Sequence, residues 1–269
     1  MGRILEGIRC FLLDLDGTIY LGDELLPGAA AFIAGLEERG LGYLFLTNNS
    51  SRDKGAYVQK LSALGISVKG ERVLTSGEAT VAYLNGQKPG ARVYLLGTPA
   101  LAGELEAGGI EVVSGADRPD FVVLGFDTTL TYQKLWQACD LVREGVEYVA
   151  THPDFNCPLA GGRFMPDAGA IAAFIQAATA ARPKVIGKPN REMVDAALAR
   201  TGTGPGETAI VGDRLYTDIA MGRGAGLTSI LVLSGETGEN DLAEAPWQPD
   251  HVFSSLAELA GVLFGGGAL

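Results

Sequence analysis

Short apolar runs alternate with amphipathic stretches along the whole chain, a pattern that predicts a parallel sheet covered by helices. The first strand is expected at Ile8–Leu13 and ends against Asp14. A helix should follow over Pro27–Glu38, opening on proline and stopping at Gly40. The next strand, Leu41–Leu46, runs into Thr47-Asn48-Asn49. Ser50 or Ser51 is placed to cap a helix reaching Leu64, with Gly65 as its stop. Strand Val73–Thr75 and helix Gly77–Leu84 complete a first block.

Asn85-Gly86-Gln87-Lys88-Pro89-Gly90 reads as a linker, and a second α/β pattern follows it. Strands are expected at Val93–Leu96, Val112–Val113, Phe121–Leu124 and Tyr148–Thr151, with helices at Ala100–Glu106, Tyr132–Arg143 and Ala168–Ala180. Arg182-Pro183 marks a second boundary. Strands Val185–Ile186, Ala209–Val211, Ile230–Leu233 and Val252–Phe253 then look like the return of the first block. The expected organisation is a first domain over residues 1–86, an inserted α/β domain over 87–182, and the rest of the first domain over 183–269.

Composition narrows the class. Hydrophobic residues make up 47% of 269 residues, enough for a sizeable core and against disorder. The net charge of −11, from 21 basic and 32 acidic residues, argues against nucleic-acid binding. Any anionic substrate must then meet a local positive site. Cys10, Cys139 and Cys157, with His152 and His251, are too widely spaced for a disulfide framework or a zinc cluster. Met1–Arg9 lacks the apolar run of a signal peptide and no span of about 20 apolar residues occurs, so a cytoplasmic protein is expected. No low-complexity tract stands out beyond Gly265–Gly267.

Candidate chemistry sits at expected strand ends, where ligands of parallel α/β sheets gather. Asp14-Leu15-Asp16-Gly17-Thr18 follows the first strand; on its own it is equally an Asp-Gly turn. Thr47-Asn48-Asn49 offers a hydroxyl and backbone amides, an anion site or a plain helix cap. Lys188, in Gly187-Lys188-Pro189, is a constrained cation or a solvated lysine. Asp213 and Asp218 follow the strand at 209–211, as two site carboxylates or as a capped turn. Together they suit phosphate-ester chemistry. A carboxylate can take the phosphoryl group, carboxylates can hold Mg²⁺, and a lysine can offset phosphoryl charge.

In order and content these stretches resemble the four motifs of the haloacid dehalogenase (HAD) superfamily, with closest similarity to its NagD-like, p-nitrophenylphosphatase-like branch (subfamily IIA). Supporting stretches are Thr18-Ile19-Tyr20, Thr47-Asn48-Asn49-Ser50, Pro166-Asp167-Ala168-Gly169, Gly187-Lys188-Pro189 and Gly212-Asp213-Arg214-Leu215-Tyr216-Thr217-Asp218. The resemblance spans nearly the whole chain. It implies a Rossmann-like parallel-sheet core with an inserted α/β cap, and a magnesium-dependent phosphatase of small-molecule phosphate monoesters such as sugar phosphates or nucleoside monophosphates.

By the same resemblance Asp14 is the nucleophile and a magnesium ligand, and Asp16 is the general acid–base and a ligand through its carbonyl. Thr47, Asn48 and Lys188 hold the phosphoryl oxygens, and Asp213 and Asp218 complete the metal site, Asp218 directly or through water. Asp16 also separates phosphotransfer from dehalogenation, because expelled halide needs no proton whereas an alcohol does.

Asn49, Arg52, His152 and Asp154 are candidate substrate contacts, with turns expected at residues 151–158 and 163–169. His152 reads as structural or solvent-facing rather than catalytic. Arg52 is equally a solvated helix arginine, and Asp154 is equally an Asx-turn residue. Tyr132 and Trp136, spaced i, i+4, read as helix packing. A phosphotransferase or mutase on the same core, and a non-catalytic phosphate-binding scaffold, are the rival readings. Self-association through the cap is the remaining expectation.

Overall fold

The computed structural model describes residues 5–159 and 163–265. Part of the Met1–Arg9 reading and most of the Gly265–Gly267 tail therefore lie outside the described residues. In chain order the elements are β1 (Cys10–Asp14), β2 (Tyr20–Leu21), β3 (Glu24–Leu25), α1 (Ala29–Glu38), β4 (Gly42–Thr47), α2 (Lys54–Ala63), β5 (Val73–Thr75) and α3 (Ser76–Gln87). There follow β6 (Arg92–Leu96), α4 (Pro99–Ala107), β7 (Glu111–Val112), β8 (Phe121–Leu124), α5 (Tyr132–Arg143) and β9 (Glu147–Ala150). Next come β10 (Asn156–Leu159), β11 (Arg163–Pro166), α6 (Ala168–Thr179), β12 (Lys184–Val185) and α7 (Arg191–Thr201). The last are β13 (Thr208–Gly212), α8 (Ala220–Ala225), β14 (Thr228–Val232), β15 (His251–Phe253) and α9 (Leu256–Phe264).

The chain divides into two compact units. The first comprises Met1–Thr47, Tyr57–Leu74 and Val194–Leu269. Its sheet runs β15-β14-β13-β1-β4-β5, and the pairings of β1 with β4 and β13, of β13 with β14 and of β14 with β15 are parallel. All five β1 residues are buried, which fits a central strand covered on both faces. Phe11 meets Phe32 of α1 edge-on at 5.8 Å between ring centroids. Leu36 and Ile33 of α1 and Leu256, Leu259 and Leu263 of α9 complete that side of the core.

The second unit comprises Asn48–Ala56 and Thr75–Met193. It holds the sheet β12-β9-β8-β6-β7, in which the neighbouring strands pair in parallel, and the antiparallel hairpin β10-β11. α5 and α6 pack Ala138, Leu141, Val142, Ile171 and Ile175 into its core. Among the described residues no helix is long and apolar enough to cross a membrane.

Several local expectations shift. The helix expected from Ser50 or Ser51 begins at Lys54 instead, and the Asp53 carboxylate accepts the Ala56 amide at 2.8 Å as its cap. Asn85, Gly86 and Gln87 are not linker but the last turn of α3. Tyr132 and Trp136 are not packed: they are 75% and 56% exposed on α5.

Thr75 does two jobs at the start of α3. Its hydroxyl oxygen accepts the Glu78 amide at 3.0 Å, and its hydroxyl donates to Glu104 Oε2 at 2.8 Å. Glu104 Oε1 is buried with no hydrogen-bond partner among the described residues. Burial accordingly raises the Glu104 carboxyl from 4.5 to about 7, with Thr75 opposing and Glu78 adding to the shift. The folded protein therefore keeps a proton that the unfolded chain has released, so stability contributed here falls as pH rises from 4.5 to about 7. Glu104→Gln should leave stability nearly unchanged near pH 4.5 and raise it at pH 8, by up to about 3 kcal/mol. Chemical denaturation of both proteins at the two pH values measures this, and an equal difference at both would contradict it.

Candidate active site

The register of three adjacent strands brings the first acids together. Asp14 is the last residue of β1 and pairs with Leu46, so the next residue of β4, Thr47, ends one step further along the neighbouring strand. On the other side Leu13 pairs with Val211, which puts Gly212 and then Asp213 at the same carboxyl edge. After Asp213 the chain enters a π-helical turn, Leu215–Ile219, that points Asp218 back. Asp14, Asp213 and Asp218 are buried and each offers an oxygen within 4.8 Å of the other two.

Small residues make this possible. Gly17 has φ +88°, and a methyl group there would overlap the Asp213 carboxylate. A methyl on Gly212 would overlap the Asp218 carboxylate. Asp213 Oδ2 accepts the Glu236 amide at 2.7 Å, and Asp218 Oδ2 accepts the Arg214 amide at 3.2 Å. These bonds orient the carboxylates without neutralising them. Burial works against the charge of Arg214, but Tyr216, Asp14, Asp213 and Glu236 more than offset it and hold the guanidinium protonated. Arg214 Nε sits 2.9 Å from Glu236 Oε2.

Asp16 is exposed, unlike the other three acids. The loop that carries it is wound around one carbonyl: Leu15 O accepts the amides of Thr18, Ile19 and Tyr20 at 3.3, 2.9 and 3.1 Å. The Gly17 amide closes the loop by donating to Tyr20 O at 2.8 Å. Tyr20 places its hydroxyl 3.5 Å from Asp16 Oδ2. Burial first, then the charges of Asp16, Tyr57 and Asp14, raise the Tyr20 pKa, so it remains a neutral donor.

The second unit gathers another set of the expected residues. Gly187 N donates to Thr151 O at 2.8 Å, continuing the β12–β9 pairing and bringing residues 151–154 beside Lys188. Asn48 is the hub. Its Nδ2 donates to both Asp154 oxygens at 3.3 Å and to Lys188 O at 3.0 Å, while its Oδ1 accepts the Lys188 amide at 2.8 Å. Asn48, Asp154 and Lys188 are all buried. Asp154 thus holds Asn48, and Asn48 fixes the backbone that carries the lysine.

The other candidates separate. Asn49 Oδ1 accepts the Ser51 amide at 3.0 Å and its hydroxyl at 2.7 Å, a local turn. Arg52 is exposed. His152 is fully buried rather than solvent-facing, with Nδ1 2.8 Å from Thr151 Oγ1 and Nε2 2.9 Å from Asp167 Oδ1. Thr151 Oγ1 continues to Ser50 Oγ at 3.0 Å. Both imidazole nitrogens are therefore engaged inside the unit. Sequence reasoning missed Arg214, Tyr20 and Glu236 as parts of the site; Arg214 and Tyr20 lie within the quoted stretches, whereas Glu236 reaches Asp213 from 23 residues further along the chain.

Three hard-oxygen carboxylates crowded in a buried site match the donor set of a divalent cation, which offsets their mutual repulsion. Comparison with known proteins agrees. Residues 11–111 match the family described as haloacid dehalogenase-like hydrolase, and residues 185–259 match the HAD-hydrolase-like family. The chain is 35% identical to the 5'-nucleotidase YutF of Bacillus subtilis, over 94% of this chain and 98% of that one. Its fold superposes on a 4-nitrophenylphosphatase from Thermotoga maritima with a TM-score of 0.92 and 48% identity, covering 96% of this chain and 98% of the other. A glycerol phosphate phosphatase from Mycobacterium tuberculosis, solved in complex with calcium, gives a TM-score of 0.88 at 36% identity, covering 95% of this chain and 76% of that one.

The chain belongs to the haloacid dehalogenase-like hydrolases, in their NagD-like phosphatase branch. Its fold class is the one expected, a parallel-sheet α/β core with an added α/β cap. It is an enzyme of the phosphatase class, and such phosphatases use a divalent metal.

Gly17→Ala sets a methyl group against the Asp213 carboxylate in a backbone conformation that alanine resists. We expect the metal concentration for half-maximal phosphatase activity to rise about 10-fold or more, as for other disturbed supports of metal ligands. An unchanged metal dependence would show that Gly17 does not shape the acid cluster.

Proposed function

We propose that the protein is a Mg²⁺-dependent phosphatase that hydrolyses small-molecule phosphate monoesters through an aspartyl-phosphate on Asp14. The observation that carries this reading is the buried convergence of Asp14, Asp213 and Asp218 at neighbouring strand ends. These three, with the Asp16 carbonyl, would hold the cation. When bound, Mg²⁺ supplies positive charge that lets a carboxylate approach an anionic phosphoryl group.

The residues then divide the work. Asp14 attacks phosphorus and the bond to the ester oxygen breaks. Asp16 gives its proton to the departing alcohol, then takes one from the water that attacks the aspartyl-phosphate, which returns Asp14 and releases phosphate. Thr47, the Asn48 backbone and Lys188 hold the phosphoryl oxygens, and Lys188 offsets their charge. The Asn48–Lys188 bonds at 2.8 and 3.0 Å support that role because a lysine on a fixed backbone loses less freedom on binding.

The cap, residues 87–182, selects the leaving alcohol. Asn49, Arg52 and Asp154 are its proposed contacts, whereas the two engaged ring nitrogens of His152 support a positioning role. The relatives named as nucleotidase, 4-nitrophenylphosphatase and glycerol phosphate phosphatase support nucleoside monophosphates, aryl phosphates and glycerol phosphate as substrates to test. Three cysteines kept as thiols support a cytoplasmic setting. Exposed Tyr132, Trp136 and Phe164 support self-association through the cap.

Asp14→Asn should lower phosphate release by at least about 10³-fold in folded protein, as expected for a lost nucleophile. EDTA should abolish activity and Mg²⁺ should restore it; full turnover in metal-free enzyme would refute the metal role. Asp16→Asn should cost an alkyl phosphate more than 4-nitrophenyl phosphate, whose leaving group needs little protonation. Equal losses on both esters would remove Asp16 from proton transfer.

A further inference from the structure

The amino-terminal edge of the core sheet, opposite the catalytic acids, carries a second concave site. A cavity of about 600 Å³ opens there, lined by the starts of β1 and β4, the segment before β5 and the end of α7. Cavities of this size hold small molecules. β1 alone separates it from Asp14 by four residue steps, about 13 Å at strand rise. None of the residues assigned to phosphoryl transfer lines it.

Its charge is opposite to that of the protein as a whole. The chain carries −11, yet the charged lining residues are Arg9, Arg72 and Arg200 against Glu71. Two of the guanidinium groups are held in place by the fold. Arg72 Nη1 donates to Tyr43 O at 2.8 Å and its guanidinium lies 4.6 Å above the Tyr43 ring. Arg200 Nη1 donates to Val73 O at 2.8 Å. Arg9 reaches Glu207 at 3.1 Å from a side chain that is 72% exposed. An exposed pair of that kind contributes little and yields readily to a stronger anion.

These residues are distant in sequence and are brought together by the starts of β1 and β4, the turn before β5 and the end of α7, not by a local basic run. The Gly42 amide donates to Arg9 O and the Arg9 amide to Glu207 O, both at 2.8 Å, so the backbone under Arg9 is fixed to two neighbouring segments. Planar guanidinium forks match phosphate oxygens two at a time, and forks already oriented lose less freedom on binding. Lining hydroxyls of Thr201 and Thr203 add polar surface. Two linked phosphates offer three arginines more acceptor oxygens than a single phosphate does.

We propose that this cavity binds a small molecule bearing two or more adjacent phosphate groups, at a site separate from the catalytic one. Inorganic pyrophosphate is the minimal probe. Calorimetric titration of metal-free protein, in EDTA and low salt, should give saturable one-to-one binding with Kd below 1 mM, about 10-fold tighter than for orthophosphate and weaker at high salt. The Arg72→Ala/Arg200→Ala double variant should bind at least about 10-fold more weakly while its Mg²⁺-supported 4-nitrophenylphosphatase activity stays within about twofold. Should that variant fold poorly, Arg9→Ala, altered at an exposed side chain, should still weaken pyrophosphate binding about threefold with activity intact. Absence of saturable binding to the wild type would overturn the proposal. So would affinity unchanged in the double variant, or in Arg9→Ala where that variant replaces it.

Discussion

Everything in the core unit is arranged around three carboxylates that repel one another. With oxygens within 4.8 Å, each pair of charges costs about 3 kcal/mol at an effective dielectric of 20. Folding does not relieve this by separating them. The β4-β1-β13 pairing fixes their backbone origins, and glycines at 17 and 212 let the side chains close in. Amide hydrogen bonds to Asp213 and Asp218 fix direction while leaving charge in place. The guanidinium of Arg214 offsets part of the repulsion, and its pairing with Glu236 spends some of that charge. A divalent cation is what completes the balance, so the site is built as one half of a metal complex.

The second unit solves a different problem, how to hold a buried lysine. Lys188 gains a fixed backbone through both polar ends of one asparagine side chain, and Asp154 in turn fixes that asparagine. The polar chain from Asp167 through His152 and Thr151 to Ser50 runs through the same unit and ties α6 to the segment that follows β4. The peptide bond between Thr47 and Asn48 is the first of four at which the chain passes from one unit to the other. Two consecutive residues therefore serve two architectures, which explains why a short stretch of sequence carries so much of the recognisable pattern.

Strands were legible because a doubly covered strand reads as an unbroken apolar run, and α5 was legible to its end residues, Tyr132 and Arg143. The four candidate stretches were legible because each sits immediately after such a run. Asn85–Gln87 misled because the cost of a glycine in a helix, about 1 kcal/mol, is outweighed by the burial of neighbouring residues such as Leu84. The hairpins β2-β3 and β10-β11 have strands of two and four residues, too short for alternation to register. Tyr132 and Trp136 have helical spacing, but spacing alone does not say whether a face is covered. The burial of His152 depended on Asp167, 15 residues away, and the arginine cavity on residues 9, 72 and 200. Such distances have no local signature.

The two edges of the core sheet treat anions in opposite ways. At the carboxyl edge three carboxylates crowd together, so a phosphate brought close to them gains from a cation held there. A cation and an anionic substrate at that edge would favour one another through charge. At the amino-terminal edge the positive charge is covalent and permanent, because an arginine keeps its proton at any physiological pH. Anion binding there needs no metal and responds to salt instead. A chain of net charge −11 repels anions on average, so each edge needs local positive charge, one from a bound cation and one from fixed arginines.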